Sequence, residues 1–170
     1  MRLVPWRCGP ASFRERVEDL RFSYFKWDAF AGGQLRIMPA VLLLSVSEHQ
    51  DLCERAANAA RCLESLEERV GQDVNLIRRL GIDDRIIPLA AQTPRSRFQF
   101  ARYDFIPTAA GWMMPEFNED APGGFNEVIG ATALFEDALP AKAKFPETPA
   151  ERLLQAFPPE RRAGLVFATG

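Results

Sequence analysis

Apolar residues recur at intervals of three and four along several segments of the chain, which is the spacing of an amphipathic helix. The longest such segment covers residues 48 to 70. Its apolar stripe consists of Leu52, Ala56, Ala59, Leu63, Leu66 and Val70. Ser47 and Gln50 match a capping box at its start, and Gly71 supplies a C-terminal stop. The pattern therefore predicts one long helix whose charged face is solvated.

Two shorter helices are predicted on either side of the long one. Ser12, followed three residues later by Glu15, indicates the start of the first. Asp73 is a suitable cap for the second, which Gly81 ends. The residues expected to point inward are Phe13, Val17 and Leu20 in the first helix and Val74, Ile77 and Leu80 in the second.

Strands are predicted mainly in the second half of the chain. Residues 97–106 and 111–118 have strand-like alternation, and the apolar run 37–46 predicts a buried strand that Pro39 interrupts. Helices begin again in "GGFNEVIGATALF" and at Thr148, and a buried strand is expected in the closing "LVFATG". This mixture of helices and strands indicates an α/β or α+β protein.

Composition and charge narrow the class of protein. The 170 residues are 47% hydrophobic and 26% charged, with a net charge of -2, which is ordinary for one globular domain. Lysines and arginines are scattered, so no basic surface for nucleic acid or an anionic membrane is expected. No apolar run approaches the roughly 18 residues of a membrane span, and residues 1–13 lack the apolar core of a signal peptide. We therefore expect a cytoplasmic protein with no nucleic-acid or membrane partner.

The cysteines and the single histidine give no sign of a metal site. Cys8, Cys53 and Cys62 share no metal-ligand spacing and are interpreted as reduced thiols. His49 falls in the first turn of the long helix, and we expect neither a histidine nor a cysteine beside it. This argues against a metal or catalytic role for His49 and makes a histidine-dependent triad difficult to build.

Charged residues lie among strand-forming residues in "RYDFIPTAAGWMMPEFNEDAPGG", residues 102 to 124. A tight turn centred on Ala110 would pair Arg102 with Asn118 and Asp104 with Glu116. Strand alternation then places these four paired residues on one face of a hairpin. The opposite face would be apolar, formed by Tyr103, Phe105, Met113, Pro115 and Phe117.

Two carboxylates directly opposite each other repel, so a positive group is expected beside them. Arg102 is one candidate, and a divalent cation is the other. Two carboxylates and an amide carbonyl form an all-oxygen set, which suits Mg²⁺ better than zinc or copper. The alternative is a surface hairpin with a solvated acidic face and one local Arg–Asp pair. The "DAPGG" that follows exposes backbone N–H groups that can hold an anion, although it is also a common loop sequence.

The residues of this hairpin resemble the circularly permuted ATP-grasp family, which includes the glutathionylspermidine synthase-like ligases. The resemblance is carried by "RYDF", then Glu116-Phe117-Asn118, then Asp120, Pro122 and the glycines. The twelve-residue interval from Asp104 to Glu116 also fits. "KWDAF…RIMPAVLLLS" and "LVFATG" resemble neighbouring parts of the same proteins, so the likeness extends over much of the chain but is specific only at residues 102–124.

The resemblance implies an α+β fold, with mixed helices packed on a small antiparallel sheet as part of an ATP-grasp fold. It also implies an ATP-dependent carboxylate–amine ligase that forms an amide through an acyl phosphate. Asp104, Glu116 and Asn118 would hold the Mg²⁺ that bridges the phosphates of ATP. Arg102 would be the catalytic residue, stabilising charge on the transferring phosphoryl group. The cofactor-binding residues would be Asp120, Gly123 and Gly124.

The sequence departs from that family in length and in lysines. Lys26, Lys142 and Lys144 are its only lysines, and none lies in a recognisable phosphate-binding loop. We therefore expect an N-terminal portion of a larger enzyme, inactive alone and completed in cis or in trans. Residues 1–158 would form part of the permuted ATP-grasp domain, with its metal-binding hairpin at 97–120, and residues 159–170 would begin a further, truncated α/β unit. The partners would be a carboxylate and an amine, either small molecules or peptides.

Two other functions stay open at this point. The chain could be a non-catalytic accessory or binding module that retains the hairpin. It could also be a structural domain whose acidic face is solvated.

Overall fold

A computed structural model of the chain describes residues 1–90, 101–119 and 122–156. In chain order the elements are β1 (Arg2–Pro5), α1 (Pro10–Ser23), a 3-10 turn (Trp27–Ala29), β2 (Phe30–Ala31), β3 (Gln34–Leu35), β4 (Ala40–Leu43), α2 (Val46–Gly71), α3 (Val74–Arg79), α4 (Ile87–Ala90), β5 (Ala101–Thr108), β6 (Gly111–Glu119), α5 (Phe125–Leu134), a second 3-10 turn (Glu136–Ala138) and α6 (Pro149–Ala156). The strands of this described part form three antiparallel pairs, β1–β4, β2–β3 and β5–β6. The α+β class is therefore confirmed, with three small ribbons instead of one sheet.

The chain divides into two compact units. Of the described residues, the first contains 1–43 and 123–156, and the second contains 44–90, 101–119 and 122. The boundary expected between 158 and 159 lies outside the described residues, so that division stays a prediction.

The core of the first unit forms around α1. Phe13 and Val17, which the pattern assigned to its inward face, are 7% and 0% exposed, and Ala29 is fully buried beside them. The rings of Trp6 and Phe135 complete the cluster, with their centroids 5.4 Å apart in an edge-to-face arrangement. Edge-to-face packing is a favourable aromatic geometry, so this cluster is a well-defined centre for the unit.

The start of α1 differs from the prediction. Gly9 is the N-cap, Pro10 is the first helical residue, and no side chain caps the helix. Ser12 is therefore not the cap. Proline is favoured at the first helical position because its missing N–H would have no partner there in any case.

Helix α5 packs closely against α1 at Gly130. A Cβ atom built on Gly130 would lie 2.5 Å from Cγ of Tyr24 and 2.6 Å from Cδ1 of Leu20. An ion pair adjoins this contact, since Lys26 Nζ donates to Glu127 Oε1 at 2.9 Å. Only a residue without a side chain fits at the crossing of these two helices.

The predicted buried strand at 37–46 is shorter and more exposed than expected. Strand β4 covers only Ala40–Leu43 and pairs with β1, with Val4 opposite Val41. Leu42 is 53% exposed, and Leu3 opposite it is 56% exposed. The ribbon therefore has one partly covered face and one open face.

The second unit contains the long predicted helix, α2. Its cap is Ser45 with Glu48, in a complete capping box, instead of Ser47 with Gln50. Asp73 caps α3 as predicted, accepting hydrogen bonds from the backbone N–H groups of Asn75 and Leu76. Of the residues predicted to point inward, Ile77 is fully buried, whereas Val74 and Leu80 are 40% and 60% exposed, so that expectation is wrong for these two. No helix in the described part of the chain combines the length and apolar character needed to cross a membrane.

Candidate functional site

The hairpin of β5 and β6 has the predicted pairing over its inner half. Arg102 lies opposite Asn118, and Asp104 lies opposite Glu116. Residues that face each other across a ribbon project to the same side, so the four polar residues share one face. Tyr103 and Phe117 pair on the other face, where their rings stack with centroids 6.3 Å apart. The polar and apolar faces are therefore confirmed for this half of the hairpin.

The outer half of the hairpin is shifted by one residue. Between the pairs Asp104/Glu116 and Ile106/Met113, one residue of β5 stands opposite two of β6, which are Met114 and Pro115. This is a β-bulge, and Pro115 fits one because it has no N–H to give to the ladder.

The bulge corrects two details of the predicted hairpin. The turn contains two residues, Ala109 and Ala110, and Gly111 follows with a φ of 107°. Met113 pairs with Ile106 and so lies on the same side as Asp104, not on the apolar face. Both Ile106 and Met113 are about half exposed, as expected for residues that extend an open polar face outward.

Arg102, the positively charged residue of the polar face, is hydrogen-bonded to one of the two carboxylates. Arg102 Nε donates to Asp104 Oδ1 at 2.8 Å, and its terminal nitrogen donates to Oδ2 at 3.1 Å. Hydrogen bonding from this guanidinium lowers the pKa of Asp104 below its ordinary value. Asp104 is therefore ionised at neutral pH, and Arg102 offsets the repulsion between Asp104 and Glu116.

The second carboxylate is paired with the amide. Asn118 Nδ2 donates to Glu116 Oε1 at 3.1 Å. A carboxylate can accept about four hydrogen bonds or metal contacts through its two oxygens. Asp104 and Glu116 thus retain acceptor capacity beyond these contacts. The three residues predicted as Mg²⁺ ligands, Asp104, Glu116 and Asn118, therefore lie on one face of the hairpin.

The remaining predicted site residues follow the β5–β6 hairpin in the sequence. Asp120 lies outside the described residues. Gly123 and Gly124 belong to the first unit, where Gly124 has a φ of 102° and precedes α5. Within residues 1–90, 101–119 and 122–156, no group of three or more His, Cys, Asp and Glu is arranged to hold a metal. A cation site on the hairpin would therefore depend on two carboxylates and the Asn118 amide.

One pair of chemically active side chains was missed in the sequence. Cys53 lies one turn after His49 in α2, and its Sγ is 3.9 Å from Nδ1 and 3.8 Å from Nε2 of the imidazole. The expectation that His49 has no cysteine beside it is therefore wrong. The signal was the four-residue interval, since residues at i and i+4 lie on the same face of a helix.

Comparison of the chain with protein-family models, with curated proteins and with solved structures gave no match. Function is therefore inferred from the geometry of the hairpin and from the resemblance of its residues.

Proposed function

We propose that the β5–β6 hairpin holds Mg²⁺ on the phosphates of ATP within a carboxylate–amine ligase of the permuted ATP-grasp type. The observation that carries this proposal is the cross-strand pairing of Asp104 with Glu116, next to the pairing of Arg102 with Asn118. In that register, the three residues that the family resemblance suggests as oxygen ligands of Mg²⁺ lie on one face of the hairpin.

Each residue of the polar face has a distinct role in this proposal. Asp104, Glu116 and Asn118 supply oxygen ligands to Mg²⁺, which neutralises charge on the phosphates when bound. Arg102 already stabilises a carboxylate through two hydrogen bonds, and the same fork matches the oxygens of a phosphoryl group. Asp120, Gly123 and Gly124 would contribute to binding ATP and substrate.

The proposed reaction has two steps. A substrate carboxylate attacks the γ-phosphorus of ATP, which forms an acyl phosphate and releases ADP. An amine then attacks the acyl carbon and expels phosphate, leaving an amide. The hairpin acts in the first step by positioning and electrostatic stabilisation. The acid, the amine and a lysine-bearing part of the nucleotide clamp are proposed partners, the last supplied in cis or in trans.

The test is binding of Mn²⁺, which takes the same oxygen ligands as Mg²⁺ and is detected by electron paramagnetic resonance. We expect the double variant Glu116→Ala, Asn118→Ala to bind Mn²⁺ at least about tenfold more weakly than the wild type. Loss of outer partners alone commonly costs that much affinity, and this variant loses two direct ligands. Competition by Mg²⁺ in the wild type should remove the signal of bound Mn²⁺.

The matched control is Asp83→Asn. The Arg85 guanidinium, two residues away, donates two hydrogen bonds to Asp83, which reproduces the Arg102–Asp104 contact outside the hairpin. The control should bind Mn²⁺ like the wild type. Equal affinity of the wild type and the double variant, with both folded by circular dichroism, would refute the metal assignment.

A non-catalytic accessory module is the second candidate. It is favoured by the engagement of both Asp104 oxygens with Arg102, because this pairing offsets the charge of Asp104 without a metal ion. The two candidates separate in a complete ligase containing this chain. Asp104→Ala should lower ATP turnover by orders of magnitude with little loss of folding if the hairpin is catalytic, and should leave turnover unaltered if it is not.

A further inference from the structure

His49 and Cys53 place an imidazole and a thiol side by side on α2. Both residues are exposed, and Sγ lies 3.8 Å from the nearer ring nitrogen. The helix fixes their separation because it runs without interruption from Val46 to Gly71 and is closed at its start by the Ser45–Glu48 capping box. The helix thus holds the Cα–Cβ bonds of the two residues on one face before any ligand arrives.

The distance between these atoms is close to that required by a metal chelate. In a tetrahedral zinc site, Zn–S is about 2.3 Å and Zn–N about 2.0–2.1 Å, which places the sulfur and nitrogen ligands about 3.6 Å apart. The observed distance is 3.8 Å from Sγ to Nε2 and 3.9 Å to Nδ1. Because Sγ is almost equidistant from the two ring nitrogens, it faces the ring between them, and the imidazole must turn about its side-chain bonds to aim one nitrogen at a shared ion. Both side chains are exposed, so no surrounding packing opposes that rotation.

We propose that His49 and Cys53 form a two-ligand site for a borderline-soft divalent cation of the Zn²⁺ type. Thiolate and imidazole are the ligands that such ions prefer, whereas Mg²⁺ prefers oxygen. The next turn of α2 carries Ala56 and Ala57, which provide no further side-chain ligand. This site is separate from the proposed hairpin site in both residues and metal, so either can fail without the other.

The chain provides its own control for this proposal. Cys62 is also exposed and also lies on α2, but it is nine residues from Cys53 and therefore about half a turn around the helix from it. The chain has only one histidine, so Cys62 cannot form a second chelate of this kind.

The test is a Co²⁺ titration of the reduced, full-length chain. Co²⁺ replaces Zn²⁺ in such sites, and a bound thiolate gives a charge-transfer absorption band in the near ultraviolet. We expect a saturable band that Zn²⁺ removes by displacement. Cys53→Ser should abolish the band. His49→Gln should weaken Co²⁺ binding by about tenfold or more, because losing even a residue that only hydrogen-bonds to a metal ligand can cost that much affinity. Cys62→Ser should leave the band and the affinity unchanged.

Three results would overturn the proposal. One is the absence of a band in the wild type, and another is a band that survives Cys53→Ser. The third is unchanged Co²⁺ affinity in His49→Gln, which would identify a single thiolate and not a chelate. Because both side chains are exposed, far-ultraviolet circular dichroism should show that every variant retains the helix.

Discussion

Replacing Gly130 with alanine is expected to destabilise the first unit, although the same change in an open helix would stabilise it. The new Cβ would lie 2.5 Å from Cγ and 2.8 Å from Cβ of Tyr24, and 2.6 Å from Cδ1 of Leu20. Carbon atoms that do not share a bond pack best at about 3.5–4.0 Å. Cβ of Tyr24 is bonded to the backbone, so it can move away only if the end of α1 moves with it.

The magnitude follows from two opposing terms. Overpacking of a close contact costs about 1–3 kcal/mol. Exchange of glycine for alanine inside a helix gains about 1 kcal/mol in helix propensity. The net loss in the free energy of unfolding is therefore expected to be about 0–2 kcal/mol. Without the close approach of α5 to α1, the change would instead be a gain of about 1 kcal/mol.

The assay is urea unfolding followed by far-ultraviolet circular dichroism, with Ala133→Gly as the matched control. Ala133 lies on the exposed side of the same helix, so this variant measures propensity alone and should lose about 1 kcal/mol. If Gly130→Ala were more stable than the wild type by the amount that Ala133→Gly loses, the packing of α5 on α1 would be wrong.

Two further predictions concern the second unit. Ser45→Ala should lower the free energy of unfolding by about 1 kcal/mol because it removes the oxygen that caps α2. Ser47→Ala should be nearly neutral in the same urea assay. Equal effects of the two variants would contradict the observed cap. Because Arg102 lowers the pKa of Asp104, the stability that Asp104 contributes is present above the ordinary carboxyl pKa and is lost only as pH falls through the lowered value. Carbon-13 NMR titration of that carboxyl should show its pKa rising in Arg102→Gln, and an unchanged value would refute the pairing.

Much of the fold was predictable because it depends on local spacing. The inward residues Phe13 and Val17 follow from helical periodicity alone, and both are buried. Helix starts were less predictable because the chain offers competing caps. Ser45 and Ser47 each have an acid or amide three residues later, so both match a capping box. Strand β4 ends at Leu43, and Ser45 has the extended backbone of an N-cap, so the helix begins after Ser45.

The candidate site was predictable as far as strand alternation holds. Asp104 and Glu116 lie opposite each other as expected, and alternation needs no tertiary information. The shift beyond them could have been found from Pro115, because a proline within a paired strand favours a bulge. The close approach at Gly130 could not have been predicted in this way, because the residues that it contacts are more than a hundred positions away in the sequence.

The bulge at Met114 and Pro115 also has a consequence for solubility. In the described part of the chain β5 and β6 pair only with each other, so each strand has an edge of backbone groups that could recruit another chain. A bulge twists a ribbon more strongly, and a proline removes a donor from it. Pro107 on β5 and Pro115 on β6 place one such interruption on each strand. The feature that shifts the register of the hairpin thus also makes it a poor template for aggregation.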